Sequence, residues 1–83
     1  MQEESLGWNP KILEELVTTK MPFGKYKDTL ICDIPAYYLE WYIHRATLPK
    51  GKLGMLLSTM YEIKTNGLDD LLKPLKKMNL NTL

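Results

Sequence analysis

Apolar residues recur at helical spacing near both ends of the chain, and a shorter, more punctuated pattern separates them. Ile12, Leu13, Leu16 and Val17 share one helix face, with Glu14 and Glu15 turned outward. Asn9-Pro10 marks the start, since an Asn side chain accepts from a free first-turn N–H and proline has no N–H to leave unpaired. Pro22 holds Met21 out of the right-handed region, so this first helix, about Pro10 to Thr19, ends by Lys20. Leu53, Leu56, Leu57, Met60, Tyr61 and Lys64 define the strongest helix, which Asn66-Gly67 closes as a left-handed cap. Gly54 costs that helix roughly 1 kcal/mol relative to alanine, which points to a close approach by a neighbouring element. Leu68, Leu71, Leu72 and Leu75 predict a short last helix, strained or broken by Pro74. Residues 1–9 and 78–83 read as flexible ends.

Between the outer helices lies Met21 to Arg45, MPFGKYKDTLICDIPAYYLEWYIHR, where the periodicity changes twice. Phe23-Gly24 and Thr29-Leu30-Ile31 flank the polar KYKD, a pattern that predicts a small β-hairpin. An isolated two-stranded hairpin is marginal in water, so it must lie against helices. Asp33 and Pro35 then mark a helix start, and Tyr38, Leu39, Tyr42 and Ile43 form its core face. Tyr37, Trp41 and Arg45 make a second stripe, rotated by about 100°. The predicted fold class is α+β, mostly helical, with a small β-hairpin packed on three or four short helices in one domain spanning residues 1–83.

Composition narrows this picture. A chain of 83 residues that is 45% hydrophobic and 25% charged reads as one soluble domain. A domain of this size buries only roughly 60% of the surface its unfolded chain exposes. Nearly every large apolar side chain is therefore wanted inside, and an exposed aromatic would be informative. The single cysteine, Cys32, cannot close an internal disulfide, and no Cys/His spacing fits zinc. A buried, reduced thiol in a reducing compartment is expected. The first residues lack the basic start and apolar run of a signal peptide, and no segment has the apolar length of a membrane span. A cytoplasmic location without membrane contact follows as the expectation. Net charge is +1, but residues 1–19 carry −3, residues 20–52 carry +3 and residues 53–83 carry +1. The positive charge is concentrated in and just after the Met21–Arg45 stretch.

The run MPFGKYK, then DIP, YLEWYI and LPKGKLGMLLSTMYEIKTNGL, resembles a small bacterial domain family described as putative quorum-sensing-regulated virulence factor. The resemblance covers Met21 to about Leu75 and places the first helix outside the shared core. The PFGKYK turn and YLxW helix are also similar to accessory segments of exodeoxyribonuclease-like proteins. Family members commonly have Gly where this chain has Asp28; aspartate tolerates the left-handed region, but it sets a negative charge among the lysines. What these resemblances imply is a fold and a nucleic-acid context, with no assigned reaction.

Lys and Arg attract phosphates by counterion release, and aromatic faces accept unpaired bases. Lys25, Tyr26, Lys27, Trp41, Arg45, Lys50 and Lys52 supply both groups and are the candidate nucleic-acid-binding residues. The competing structural account packs Trp41 and Tyr37 against the hairpin and leaves the lysines as a solvated rim. His44 has no Cys, second His or arranged Ser to work with, and the adjacent carboxylates Glu3/Glu4, Glu14/Glu15 and Asp69/Asp70 diverge around a helix. No catalytic residue, metal site or cofactor is therefore expected. The sequence reads as a non-enzymatic binding module with DNA or RNA as partner, the alternative being protein–protein interaction or homodimerisation.

Overall fold

The computed structural model describes residues 10–45 and 47–81 and contains four α-helices among them: α1 (Pro10–Thr18), α2 (Ala36–His44), α3 (Gly51–Thr65) and α4 (Lys73–Asn81). Two 3-10 turns, Ile31–Asp33 and Asp69–Leu72, lead into α2 and α4. The expected start signal at Asn9 lies outside the described residues.

The central element is α3, whose buried residues Leu56, Leu57, Met60 and Ile63 meet α1, α2 and the first 3-10 turn. From α1 come Leu16 and Val17, and from α2 Leu39 and Tyr42. Met21, Ile31 and Ile34 are fully buried between these helices. Among the described residues the buried set contains no polar or charged residue, so packing rather than an interior polar network defines the core. The C-terminus of α3 is closed as the sequence predicts: the Leu68 N–H donates to the Ile63 carbonyl at 2.9 Å and the Gly67 N–H to that of Lys64 at 3.1 Å.

The β-hairpin is not present, and the fold is all-α rather than α+β: no strand forms among the described residues, only an isolated bridge between Lys20 and Leu30. The chain pairs at the neck of a loop and nowhere beyond it. There the Ile31 N–H donates to Thr19 O, the Met21 N–H to Thr29 O and the Asp28 N–H to Met21 O, at 2.7–2.9 Å. Past the neck, Pro22 has no N–H to offer a ladder, and Gly24 and Asp28 turn the chain back at φ +84° and +71°. The Lys27 and Thr29 amides are then consumed inside the loop by the Gly24 and Tyr26 carbonyls. Asp28 thus adopts the left-handed conformation that aspartate tolerates better than most residues. Phe23, an expected hairpin anchor, is 45% exposed.

Three further expectations change. The last leucines do not form one helix broken at Pro74; Asp69–Leu72 is a 3-10 turn, and Pro74 sits in the first turn of α4, where a missing N–H breaks no helical bond. Helix α4 runs to Asn81. Glu15 is not turned outward: its side chain is 19% exposed and one carboxylate oxygen accepts from Lys52 Nζ at 2.9 Å, tying α1 to the first turn of α3. Asp33 does not cap α2. Its carboxylate accepts from Lys76 Nζ at 2.7 Å and fixes α4 to the first 3-10 turn.

Cys32 is buried as expected, and burial, followed by the neighbouring Asp33 charge, raises its thiol pKa above the ordinary 9.0. The folded chain therefore keeps this proton where the unfolded chain has lost it, and stability falls as pH rises through 9.0. Lys76, raised above 10.5 mainly by its hydrogen bond to Asp33, acts in the same direction: its contribution is complete below that value and is lost as pH rises through its folded value. Iodoacetamide should accordingly alkylate Cys32 far more slowly in the native chain than in denaturant at mildly alkaline pH; equal rates would show that the thiol is accessible.

Candidate nucleic-acid interface

The central portion of the chain builds one surface from a loop tip and a helix face. On α2 the core-facing Leu39 and Tyr42 set the rotation of the helix, and this leaves Tyr37, Glu40, Trp41 and His44 outward. Tyr38 lies between the two faces, half-buried, and serves as the hub. Tyr26 of the loop meets it edge-on at 4.7 Å, Trp41 stacks on it at 5.6 Å with ring planes 23° apart, and Tyr42 meets it edge-on at 5.4 Å. Offset and edge contacts of this kind contribute about 0.5–1.5 kcal/mol each beyond area burial.

The loop is registered on α2 by small dimensions. At Gly24 a Cβ would lie 3.1 Å from the Tyr38 hydroxyl oxygen and 3.6 Å from that of Tyr42, on a backbone already at φ +84°. The Tyr26 and Tyr37 hydroxyls are hydrogen-bonded at 2.5 Å. That bond is the main reason the Tyr26 pKa lies above 10.0, while burial and then the hydrogen bond with Tyr38 raise Tyr42. These phenols stay neutral at physiological pH, so the surface draws its charge from other residues.

The structure joins part of the predicted candidate set. Tyr26 and Trp41 belong to one aromatic cluster, Lys25 Nζ lies 5.7 Å from the Tyr26 ring centroid, and Arg45 is exposed immediately after α2, with its N–H donating to the Trp41 carbonyl. A cation there is favoured by the helix C-terminus. Lys27 is exposed in the same loop, and Lys50 is exposed at the N-cap of α3. Lys52 is held by Glu15 and is not free for phosphate without breaking that pair.

Trp41 is 46% exposed and Tyr37 61%, so packing on the loop and helix accounts for only part of each side chain. Together with Glu40, His44 and Arg45 they line a shallow groove of about 260 Å³ along α2. Glu40 and His44 were not among the candidates. The signal available for them was position: Tyr37, Glu40, Trp41 and His44 fall at i, i+3, i+4 and i+7, one helix stripe. His44 also meets Tyr61 of α3 edge-on at 6.0 Å. Among the described residues, no group of three or more His, Cys, Asp or Glu could hold a metal ion, and no helix is long and apolar enough to cross a membrane.

Comparison with known proteins places this surface within a family. The chain is similar to the uncharacterized protein YpeB of Escherichia coli K12 and of Escherichia coli O157:H7, in each case 46% identical over 65 residues that make up 78% of this chain and 90% of the relative. No solved structure matches. The family match runs over residues 9–75, taking in α1 as well as the loop, α2 and α3. The chain belongs to the family described as putative quorum-sensing-regulated virulence factor.

Proposed function

We propose that this chain is a small non-enzymatic module that binds single-stranded nucleic acid on the surface formed by the 20–30 loop and α2. The observation that carries this reading is the exposure of Trp41 in a groove shared with Arg45, in a domain too small to leave a large aromatic outside without cost. Trp41, backed by Tyr38, offers its free face to an unpaired base, with Tyr37 and Tyr26 extending the aromatic surface. Lys25, Lys27, Arg45 and Lys50 contact phosphates and release counterions. The likeness of the PFGKYK turn and YLxW helix to accessory segments of exodeoxyribonuclease-like proteins leans the same way. Fluorescence anisotropy with single-stranded and duplex DNA across a salt series tests the proposal. Micromolar binding that favours the single strand and weakens with salt is expected; no salt-dependent binding to either form would end it.

A second reading, self-association or adaptor binding, is favoured by Leu68 and Leu71, 37% and 46% exposed before α4. Sedimentation separates the two, because a stable dimer that hides Trp41 would remove the base-stacking surface.

A further inference from the structure

Building on the nucleic-acid reading, we infer that the α2 groove selects guanine among unpaired bases, with Glu40 as the specificity-determining residue. The groove combines three chemistries along α2 and its end: an indole face, a carboxylate and a guanidinium. At about 100° per residue, Glu40 falls on one side of Trp41 with Tyr37 and His44, while Arg45, the residue that ends the helix, lines the same groove from beyond its last turn. A base stacked on Trp41 therefore sits in a groove lined by both a carboxylate that accepts and a guanidinium that donates.

A carboxylate beside a phosphate-binding surface is a liability if phosphate is all that is bound, since it repels the backbone. It becomes useful when it reads a base edge. An ionised carboxylate presents two oxygens and accepts only. Guanine alone among the common bases offers two adjacent donors, N1–H and the 2-amino group, on its pairing edge. Adenine and cytosine offer one amino group next to an acceptor, and thymine or uracil one imino N–H between two carbonyls. Guanine also carries O6 and N7 on its other side, the pair of acceptors that a guanidinium recognises. Glu40 is exposed, and among the described residues it forms no ion pair, so its carboxylate is not committed to a neighbouring cation. Tyr38 occupies one indole face, which limits stacking at Trp41 to a single base and makes a single-base preference readable.

The test uses the full chain and short thymidine oligonucleotides carrying one central guanine, inosine, adenine or no purine, compared by anisotropy at low salt; a single guanine avoids quadruplexes. Inosine lacks the 2-amino group and isolates the second donor. The guanine strand should bind about 5- to 150-fold more tightly than the all-thymidine strand, the range for one bidentate contact, with inosine between them. Glu40→Gln should abolish that preference while leaving the all-thymidine strand bound as well or better, because a negative charge is gone. Equal affinity for all four strands would overturn the guanine assignment and leave the stacking surface standing, as would a Glu40→Gln variant that weakens every strand alike. Failure of all four to bind would overturn both.

Discussion

Replacing Gly54 by alanine is expected to destabilise the domain by about 1–3 kcal/mol, the range for inserting a methyl group where there is no room. The direction is opposite to the ordinary one. In an unencumbered helix interior the same change stabilises by roughly 1 kcal/mol, because glycine loses more backbone entropy on folding. Here the added Cβ would lie 1.8 Å from the Pro49 carbonyl oxygen and 3.0 Å from its carbon. The obstacle is backbone, held by a proline ring, and cannot swing aside as the end of a side chain would. The 47–50 connection must therefore shift, and with it the start of α3, the helix on which α1 and α2 both pack. Sequence reading found the close approach but not its source, which is the chain's own preceding turn. Urea unfolding followed by circular dichroism measures the loss, with Ser58→Ala on the exposed face of the same helix as a control expected to change little. A Gly54→Ala variant as stable as the parent would show that the turn before α3 moves freely.

Trp41→Ala is expected to weaken single-strand binding by about 1–3 kcal/mol, or 5- to 150-fold, the loss for one stacked base. The fold should survive, because Leu39 and Tyr42 rather than Trp41 anchor α2. The cost to stability is confined to contacts with Tyr38 and Tyr42, at about 0.5–1.5 kcal/mol each. Trp41→Phe keeps an aromatic face and should recover most of the affinity. Parallel unfolding and anisotropy measurements separate the two effects. Unchanged affinity in a folded Trp41→Ala variant would place the binding surface elsewhere.

The parts of the fold legible in the sequence are those fixed by local chemistry. Leu16 and Val17, Leu39 and Tyr42, and Leu56, Leu57 and Met60 are buried at the registers that helical periodicity assigns, and Asn66-Gly67 closes α3, whereas Ile63, fully buried, was not among the residues assigned to that face. The loop was misread because aromatic and β-branched residues around KYKD give the same signal in a strand as in a turn wedged between helices. One discriminating sign was present: Ile31 and Ile34, both fully buried, are three residues apart, the period of a 3-10 turn rather than of a strand. Other misreadings depended on partners far along the chain. Lys52 read as a free cation because Glu15 lies 37 residues away, and Asp33 read as a helix-start residue because its partner Lys76 lies 43 residues away. In the candidate site, the Tyr37–Trp41–Arg45 stripe was legible, whereas Glu40 drew no separate reading and emerges only as a lining residue of the groove it shares with Trp41.

The hydroxyl bond between Tyr26 and Tyr37, with Gly24 seated over Tyr38 and Tyr42, gives the surface a property that follows from its compact origin. Lys25 to Arg45 is a single uninterrupted run, and its inward residues, Ile31, Ile34 and Leu39, are different from its outward ones. The buried core and the exposed surface are thereby written on separate letters of the same short segment. Positions 25, 37, 40, 41 and 45 are exposed, so substitutions there change the outer surface without reopening the core, and chains sharing this scaffold can differ on that surface while folding alike.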